Sequence, residues 1–182
     1  DKEFVSILAE SDGRVCRHLH LPLQSGSSRV LGEMNRPYTA QDFLEIATML
    51  KREVGDISLT TDVIVGFPGE TEQDFQETLA LAREVGFTKI HVFRYSRREG
   101  TPAAERLDQI SPEVKERRAH ELSALGDELR LDYAKRHIGK LERIAIEQDG
   151  WGMTESYYKV RLESPFEQGA LVTARLTGVD DA

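Results

Sequence analysis

The sequence predicts an α/β protein in which a partial parallel sheet carries helices on its outer face and a small all-β domain follows. Three segments repeat one order: an apolar strand, a short loop with glycine and an amphipathic helix. These strands are predicted at 16–23, 58–66 and 89–96. After about residue 137 the pattern changes to short alternating stretches punctuated by glycine, which is typical of antiparallel strands. We therefore expect two domains, residues 1–136 and residues 137–182.

The helices after the first strand are predicted from apolar residues at helical spacing. A short helix is expected at 29–34, and a longer one begins at Thr39. Gly55 is placed to end the longer helix, because glycine readily takes the left-handed conformation found at helix ends. The residues expected on its buried face are Phe43, Ile46, Ala47 and Leu50.

The helix after the second strand has recognisable signals at both ends. Thr71 and Asp74 form a predicted capping box, in which each side chain satisfies a free backbone N–H group. The helix stops at Gly86, and its apolar face is formed by Phe75, Leu79, Ala82 and Val85. A long final helix is predicted at about 112–136, with Leu122, Leu125, Leu129 and Tyr133 on one side.

The composition is typical of a soluble globular protein. The chain has 182 residues, 39% of them hydrophobic and 31% charged, and a net charge of −8, so any nucleic-acid contact must come from local basic patches. No apolar run approaches the roughly 20 residues that a membrane helix needs, and no signal-peptide pattern opens the chain. We expect a cytoplasmic protein without a membrane partner. The single cysteine, Cys16, excludes an internal disulfide and a thiolate metal cage built by this chain alone.

Three polar loops with glycine follow the predicted strands, at 24–27, 66–70 and 96–101. Parallel strands bring their carboxyl ends to one edge of the sheet, and ligands bind at that edge in such folds. The sequence therefore predicts a ligand site there. Gly66 and Gly69 in one strand-to-helix turn indicate that something approaches the backbone closely.

A phosphate-binding loop is excluded at this turn. No Gly-Lys-Ser/Thr follows the loop, and the spacing of a dinucleotide fingerprint is absent. Glu70, Glu72 and Asp74 also place negative charge at the start of the helix, where a phosphate would need positive charge.

The first strand carries candidate metal ligands that the sequence does not favour. His18 and His20 alternate and face the same side, but no third ligand is evident nearby, so we expect packed or hydrogen-bonded histidines and no metal site. Cys16 is expected to be a small core residue. Asp62 and His91 are candidate acid–base groups, although the sequence does not place them facing each other.

Two groups of basic residues are candidate contacts for a phosphate-bearing substrate or RNA. Arg97 and Arg98, with Arg94, are predicted at the carboxyl edge, where a solvated face is the alternative interpretation. Lys159 and Arg161 alternate on one strand of the tail and are placed to meet phosphates. The tail nevertheless holds eight acidic residues against five Lys and Arg.

Three long segments carry a resemblance to a known family. HLHLPLQSGSSRVLGEMNRPYT, TTDVIVGFPGETEQDF and FRYSRREGTPAA resemble, in order and spacing, the MiaB-like methylthiotransferase family of radical S-adenosylmethionine enzymes. The tail, with GMTESYYKVRL and ARLTGVDD, resembles a TRAM domain, a small β-barrel that binds RNA in these enzymes. The resemblance covers nearly the whole chain. It implies a half radical SAM β/α barrel of three parallel strand–helix units, followed by a TRAM-like barrel.

The resemblance also implies a cofactor site. Gly66 matches the family's glycine at the S-adenosylmethionine site, where a side chain would block the nucleoside. By motif position, Gln24 and Ser25 line the cofactor pocket, and Phe93 and Arg94 border it.

The chain departs from the family in its cysteines. The family holds a catalytic iron–sulfur cluster on a Cys-x-x-x-Cys-x-x-Cys motif and a second cluster on three cysteines of an N-terminal domain, whereas this chain has one cysteine outside such a motif. We therefore expect iron–sulfur clusters in the full-length enzyme only. The chain alone is expected to be inactive and to self-associate through the uncovered edge of its half barrel.

The resemblance implies an activity for the whole enzyme. In the family a reduced cluster splits S-adenosylmethionine to a deoxyadenosyl radical, and sulfur is then inserted into the substrate and methylated. FRYSRREGTPAA followed by SPEVKERR resembles most the MtaB-like branch, which acts on threonylcarbamoyl-adenosine beside the tRNA anticodon. The alternatives are the branch for isopentenyl-adenosine in tRNA, the branch for a ribosomal-protein aspartate, and a non-catalytic RNA-binding module.

Overall fold

The computed structural model describes residues 2–11, 13–148, 150–164 and 166–179. Its helices are α1 (Lys2–Ala9), α2 (Ser28–Glu33), α3 (Ala40–Val54), α4 (Glu72–Val85), α5 (Pro102–Glu105) and α6 (Pro112–His137). Its strands are β1 (His18–His20), β2 (Ser58–Val65), β3 (Lys89–Arg94), β4 (Leu141–Gln148), β5 (Trp151–Thr154), β6 (Lys159–Arg161) and β7 (Leu171–Arg175). Among the described residues, no helix is both long and apolar enough to cross a membrane.

The chain folds into two compact units. One consists of Asp1–Leu19, Leu50–Ser58 and Leu131–Ala182, and the other of His20–Met49 and Leu59–Arg130. The predicted division at residues 136 and 137 stays a prediction.

The first sheet is parallel, with the strand order β1-β2-β3. β2 pairs with β3 from Thr60 opposite Lys89 to Val65 opposite Arg94. On the other side of β2, Gln24 forms a parallel bridge with Val63. The predicted α/β class with three parallel strands is therefore confirmed.

The first strand is shorter than the sequence indicated. Regular pairing begins only at His18, so Cys16 lies before the strand and is exposed. The prediction that Cys16 is a small core residue is therefore wrong, because a residue outside the sheet is not held against the core.

The outer face of the parallel sheet forms the core. β2 completely buries the side chains on this face, Leu59, Thr61, Val63 and Val65. α4 buries the face predicted for it, Phe75, Leu79, Ala82 and Val85. On the opposite face of β2, Ser58 and Thr60 are also buried, whereas Asp62 and Ile64, nearer the carboxyl edge, are only half-buried.

The predicted helix faces and caps are largely confirmed. In α3, Phe43, Ala47 and Leu50 are buried, but Ile46 is 44% exposed. The prediction for Ile46 is wrong because this residue lies at the border of the apolar stripe, about 100° around the helix from Ala47. The capping box of α4 is present, and Gly86 ends that helix in the left-handed conformation.

The second sheet is antiparallel, with the strand order β6-β5-β4-β7. This confirms the predicted β-rich tail. Asp56 lies close to two residues of the tail within the same compact unit: its carboxylate accepts a hydrogen bond of 2.5 Å from Lys140 Nζ and lies 2.8 Å from His137 Nε2. These contacts join Leu50–Ser58 to Leu131–Ala182.

Gly26 allows α4 to approach the loop after β1. Its N–H group donates to the Thr78 hydroxyl over 2.9 Å, and a Cβ atom at Gly26 would overlap the backbone of Thr78. We expect Gly26→Ala to lower the free energy of unfolding by about 1–3 kcal/mol, because the helix has to move away. Urea denaturation measures this change.

Gly32→Ala is the matched control, because nothing lies within 4 Å of a Cβ atom at Gly32, which is inside α2. This variant should be as stable as the wild type or more stable by up to about 1 kcal/mol. Equal stability of Gly26→Ala and the wild type would show that this close approach is not needed.

Candidate functional site

The carboxyl edge of the parallel sheet brings together residues that are far apart in the sequence. Gln24 lies opposite Val63, and Phe93 and Arg94 lie opposite the last two residues of β2. Gly66 follows β2 directly. Gln24 and Gly66 follow β1 and β2, and Phe93 and Arg94 end β3, so all four lie at the carboxyl edge of the sheet. Their contact with a cofactor stays a prediction.

Gly66 is required by the protein's own packing. Its φ angle is +73°, a conformation that other residues rarely adopt. A Cβ atom there would overlap Cγ of Lys115, which lies on α6. The sequence interpretation attributed this glycine to space for a nucleoside, whereas the structure supplies an intramolecular reason. A valine at this position would disturb the loop whether or not a cofactor binds.

A buried ion pair holds the loop after β2. The side chains of Glu70 and Arg118 are only 2% and 4% exposed, and Arg118 Nη1 donates to Glu70 Oε2 over 2.6 Å. The same carboxylate oxygen accepts the Gly66 N–H over 2.7 Å. Burial raises the pKa of Glu70, while the Gly66 N–H and Arg118 act in the opposite direction. Sequence reasoning missed Arg118, since nothing in its local pattern shows that it is buried.

Lys115 covers the end of β3 as well as Gly66. Its ammonium group donates to the Tyr95 carbonyl oxygen over 3.1 Å and lies 5.1 Å from the centre of the Tyr95 ring. That ring packs edge-on against Phe67 at a centroid distance of 5.4 Å. Burial lowers the pKa of Lys115, and so does the charge of Arg97. The first turns of α6 thus form part of the edge, which the sequence did not indicate.

Asp74 joins the loop after β1 to α4. Its carboxylate accepts hydrogen bonds from the Ser27 hydroxyl (2.7 Å) and from the backbone N–H (2.7 Å) and hydroxyl (2.6 Å) of Thr71, and it pairs with Arg29. Burial raises the pKa of Asp74, but the hydrogen bonds from Arg29, Thr71 and Ser27 outweigh it and hold this pKa well below its usual range. The capping residue therefore also fixes the neighbouring loop.

Ser25 lies inside this arrangement. It is fully buried, and its hydroxyl accepts the Ser27 N–H over 3.2 Å. Its predicted role at a cofactor pocket stays a prediction, and the burial favours an indirect role in which Ser25 shapes the loop.

A shallow cavity of about 640 Å³ opens beside the Asp74 network. None of the five predicted cofactor residues lines it. Its lining consists of Gly26, Ser27, Ser28, Arg29, Ala40, Gln41, Thr71, Gln73, Asp74 and Glu77.

The side chains at the end of β3 are open to solvent. Phe93 is 51% exposed, and Arg94 and Arg98 are exposed as well. Arg97 donates through Nε and Nη2 to the Ala104 carbonyl oxygen, at 3.1 and 2.5 Å, and so holds α5. Arg94 and Arg98 are therefore better placed than Arg97 to meet an anionic ligand.

A second group of side chains lies on the opposite face of the sheet from the core. The pairing of β2 with β3 places Asp62 opposite His91, and His20 Nε2 lies 3.4 Å from an Asp62 carboxylate oxygen. One ligand atom from each of the three lies within 4.8 Å of the others. Burial and the charge of Lys89 lower the pKa of His91.

The sequence alone shows no third ligand near His20, whereas the structure places Asp62 and His91 beside it. The alternation of His18 and His20 suggested these two as a pair of ligands. In the structure His18 instead stacks on Tyr157, with a centroid distance of 4.4 Å. The partners of His20 come from the next two strands, and no local pattern gives the register of parallel strands.

The antiparallel sheet carries a basic and aromatic face. Trp151 lies opposite Arg161, and Met153 lies opposite Lys159. The Lys159 ammonium is 4.9 Å from the centre of the Trp151 ring, which is 36% exposed. Lys159 and Arg161, predicted to contact RNA, therefore lie exposed on one face beside an aromatic ring that sequence reasoning missed. RNA contact stays a prediction.

Comparison with known proteins gives matches over most of the chain. Residues 1–82 match the model of the radical SAM superfamily. A tRNA-2-methylthio-N(6)-dimethylallyladenosine synthase of Caldicellulosiruptor saccharolyticus is 47% identical over 134 residues, which are 74% of this chain and 28% of that protein. The threonylcarbamoyladenosine tRNA methylthiotransferase MtaB of Bacillus subtilis is 44% identical over 146 residues, 80% of this chain and 32% of that protein.

Another relative covers nearly all of the chain. A tRNA-2-methylthio-N(6)-dimethylallyladenosine synthase of Anoxybacillus flavithermus is 40% identical over 185 residues, 97% of this chain and 35% of that protein. The chain thus spans about a third of the length of these curated relatives.

A solved structure also resembles the chain. Coproporphyrinogen III oxidase (HemN) from Escherichia coli, a radical SAM enzyme, matches with a TM-score of 0.56 and 21% identity over 80% of this chain and 31% of that chain. This match shows the fold alone.

The buried pair of Glu70 and Arg118 predicts a large effect of removing one charge. Glu70→Gln keeps the size of the side chain but leaves the guanidinium buried without its counter-ion, so we expect a loss of about 3–5 kcal/mol in the free energy of unfolding. Urea denaturation at neutral pH checks this value.

The double variant Glu70→Gln, Arg118→Met is the matched control. It removes both charges and should recover part of the loss. A double variant whose loss equals the sum of the losses measured for Glu70→Gln alone and Arg118→Met alone would contradict the pairing.

The lowered pKa of Asp74 predicts that the stability of the folded chain decreases at acidic pH. Because its pKa is lower in the folded chain than the ordinary value of about 3.9, its contribution is present above about pH 4 and is lost as the pH falls further. We expect Asp74→Asn to be less stable than the wild type at pH 7, by about 1–3 kcal/mol. Between about pH 5 and pH 3 the variant should lose less stability than the wild type.

Urea denaturation at a series of pH values tests this dependence. Glu72→Gln is the comparison variant. Arg117 also lowers the pKa of Glu72, to about 2, but this side chain is half exposed, so its removal should change the stability less than Asp74→Asn does. Parallel pH curves for the wild type and Asp74→Asn would rule out the assigned role of Asp74.

Proposed function

Because this chain belongs to the MiaB-like family of radical S-adenosylmethionine methylthiotransferases, we propose that the whole protein methylthiolates an adenosine of tRNA. The observation that carries the proposal is the 40–47% identity to tRNA methylthiotransferases over 74–97% of the chain. A tRNA substrate also favours the cytoplasm as its place of action.

The edge residues fit the adenine and the carboxylate of S-adenosylmethionine. The exposed ring of Phe93 offers a surface on which an adenine can stack, and the exposed guanidinium of Arg94 offers paired donors to the carboxylate of the cofactor. When bound, this cofactor supplies the methyl group and the precursor of the radical.

The residues of this chain do not fit an iron–sulfur cluster. Such a cluster takes three protein thiolates in this family, and the chain supplies only the exposed Cys16. We therefore assign cluster binding to parts of the enzyme outside these 182 residues and propose that the chain alone is inactive. β3 lies at one edge of the parallel sheet, which supports self-association of the isolated chain.

The face formed by Trp151, Lys159 and Arg161 supports contact with tRNA. Two cationic side chains beside an exposed aromatic ring suit a phosphate backbone and an unstacked base. At the edge of the parallel sheet, Arg98 is a further candidate for phosphate contact, and Arg97 also lies there. The net charge of −8 opposes nucleic-acid binding by the chain as a whole, so contact with tRNA depends on these local basic patches.

We propose threonylcarbamoyl-adenosine beside the anticodon as the substrate, supported by the segment FRYSRREGTPAA and by the 44% identity to MtaB. A second candidate is the dimethylallyl-adenosine (isopentenyl-adenosine) of tRNA, favoured by the 47% identity to the Caldicellulosiruptor protein.

The test is to express the full-length protein in a bacterium that lacks its own tRNA methylthiotransferases and to measure modified tRNA nucleosides by mass spectrometry. We expect methylthio-threonylcarbamoyl-adenosine with the wild type and an at least tenfold lower yield with Arg94→Ala, because the cofactor loses a charged contact. Arg52→Ala is the matched control, since Arg52 is an exposed arginine paired with Glu53 on α3.

The outcomes separate the levels of the proposal. Methylthiolation of dimethylallyl-adenosine alone would overturn the substrate but keep the activity. No methylthiolated nucleoside from a soluble, cluster-loaded enzyme would overturn the activity itself. Equal yields from Arg94→Ala and Arg52→Ala would remove Arg94 from the cofactor site.

A further inference from the structure

We infer that His20, Asp62 and His91 form a binding site for a divalent transition-metal ion of the zinc type, separate from any iron–sulfur cluster. Neither the predicted cofactor residues nor the basic patches include these side chains. The inference does not rest on the proposed function.

The parallel sheet places the three residues at one level. Asp62 on β2 lies directly opposite His91 on β3. On the other side, the Leu21 N–H donates to the Thr60 carbonyl oxygen over 2.8 Å, which sets His20 beside this part of β2. Each of three adjacent strands therefore contributes one ligand, and strands of a sheet are rigid supports for such a group.

The distances suit a small metal ion. Zinc lies about 2.0–2.1 Å from imidazole nitrogen and carboxylate oxygen, so two ligands of a tetrahedral ion are about 3.4 Å apart. The distance between His20 Nε2 and the Asp62 carboxylate is 3.4 Å. One ligand atom from each of the three residues lies within 4.8 Å of the others.

The second ring nitrogen of His20 has a hydrogen-bond partner, as is usual for histidines that bind metals. Its Nδ1 atom lies 3.0 Å from the Thr60 hydroxyl oxygen. When Nδ1–H donates to this oxygen, Nε2 carries a lone pair that faces the Asp62 carboxylate, which offers only lone pairs. A cation between the two groups relieves their mutual repulsion.

The group is reachable from solvent. The side chains of His20 and Asp62 are 39% and 32% exposed, and His91 is half-buried. Two histidines and one carboxylate leave at least one coordination position open, as in catalytic zinc sites. Phe93, two residues after His91 on the same face, is 51% exposed and borders this open side. The ligand set also suits iron(II), cobalt and nickel, so the chemistry of the ion is that of a divalent transition metal.

Isothermal titration of the chelator-treated chain with Zn²⁺ tests the inference, and titration with Co²⁺ reports the geometry through its visible absorption. We expect one bound ion per chain with a micromolar dissociation constant. Asp62→Asn and His91→Ala should weaken the binding at least tenfold. Asp62→Asn keeps the shape of the side chain, so a folding defect is not expected to imitate the loss of metal.

Two variants serve as matched controls. His120→Ala removes an exposed histidine of α6, and Cys16→Ser removes the exposed thiol. Both should bind Zn²⁺ as the wild type does. Thermal unfolding without metal should show that all variants are folded, and Zn²⁺ should raise the unfolding temperature of the wild type but not of Asp62→Asn.

Two results would overturn the inference. Absence of Zn²⁺ binding by the wild type would show that the three side chains form only a hydrogen-bonded group. Equal losses in His120→Ala or Cys16→Ser would place the ion elsewhere. The experiment uses neither sulfide nor S-adenosylmethionine, so its failure is distinguishable from failure of the proposed function.

Discussion

The carboxyl edge of the parallel sheet depends on the buried ion pair between Glu70 and Arg118. One carboxylate oxygen accepts both the Gly66 N–H and a guanidinium N–H, so the loop closes on itself and is held by α6 at the same time. Burying an unpaired carboxylate is costly because water no longer solvates its charge. The Arg118 guanidinium compensates the charge of Glu70 in this buried position. The loop is further constrained at Gly66, whose backbone is left-handed and whose Cα is covered by the Lys115 side chain.

Asp74 holds the neighbouring loop in a similar way, through a carboxylate that pairs with an arginine. The sequence showed three acidic residues at the start of α4, which argued against a phosphate there. The structure gives each a cationic partner, since Glu70 pairs with Arg118, Glu72 with Arg117 and Asp74 with Arg29. These three carboxylates are therefore paired within the molecule. Arg94 and Arg98 remain exposed at the carboxyl edge, where a ligand can contact them.

The parallel sheet separates two kinds of chemistry. Its outer face is closed by apolar side chains, and its carboxyl edge exposes the Phe93 ring and the guanidinium groups of Arg94 and Arg98. Its other face holds the His20, Asp62 and His91 group, which suits a cation. The antiparallel sheet carries a separate basic and aromatic face formed by Trp151, Lys159 and Arg161. The family resemblance predicts roles for the edge and for the basic face but none for the His20, Asp62 and His91 group.

The sequence by itself determined the order of the elements, the parallel sheet, the α4 caps and the family, because periodicity, capping residues and motifs act over a few neighbouring residues. Only the tertiary structure decided which distant groups meet. Glu70 and Arg118 are 48 positions apart, and His20 and Thr60 are 40 positions apart. Such contacts depend on strand register and helix docking, which are set by packing of the whole sheet. The same reason explains why Cys16 is exposed, whereas its local pattern predicted a core residue.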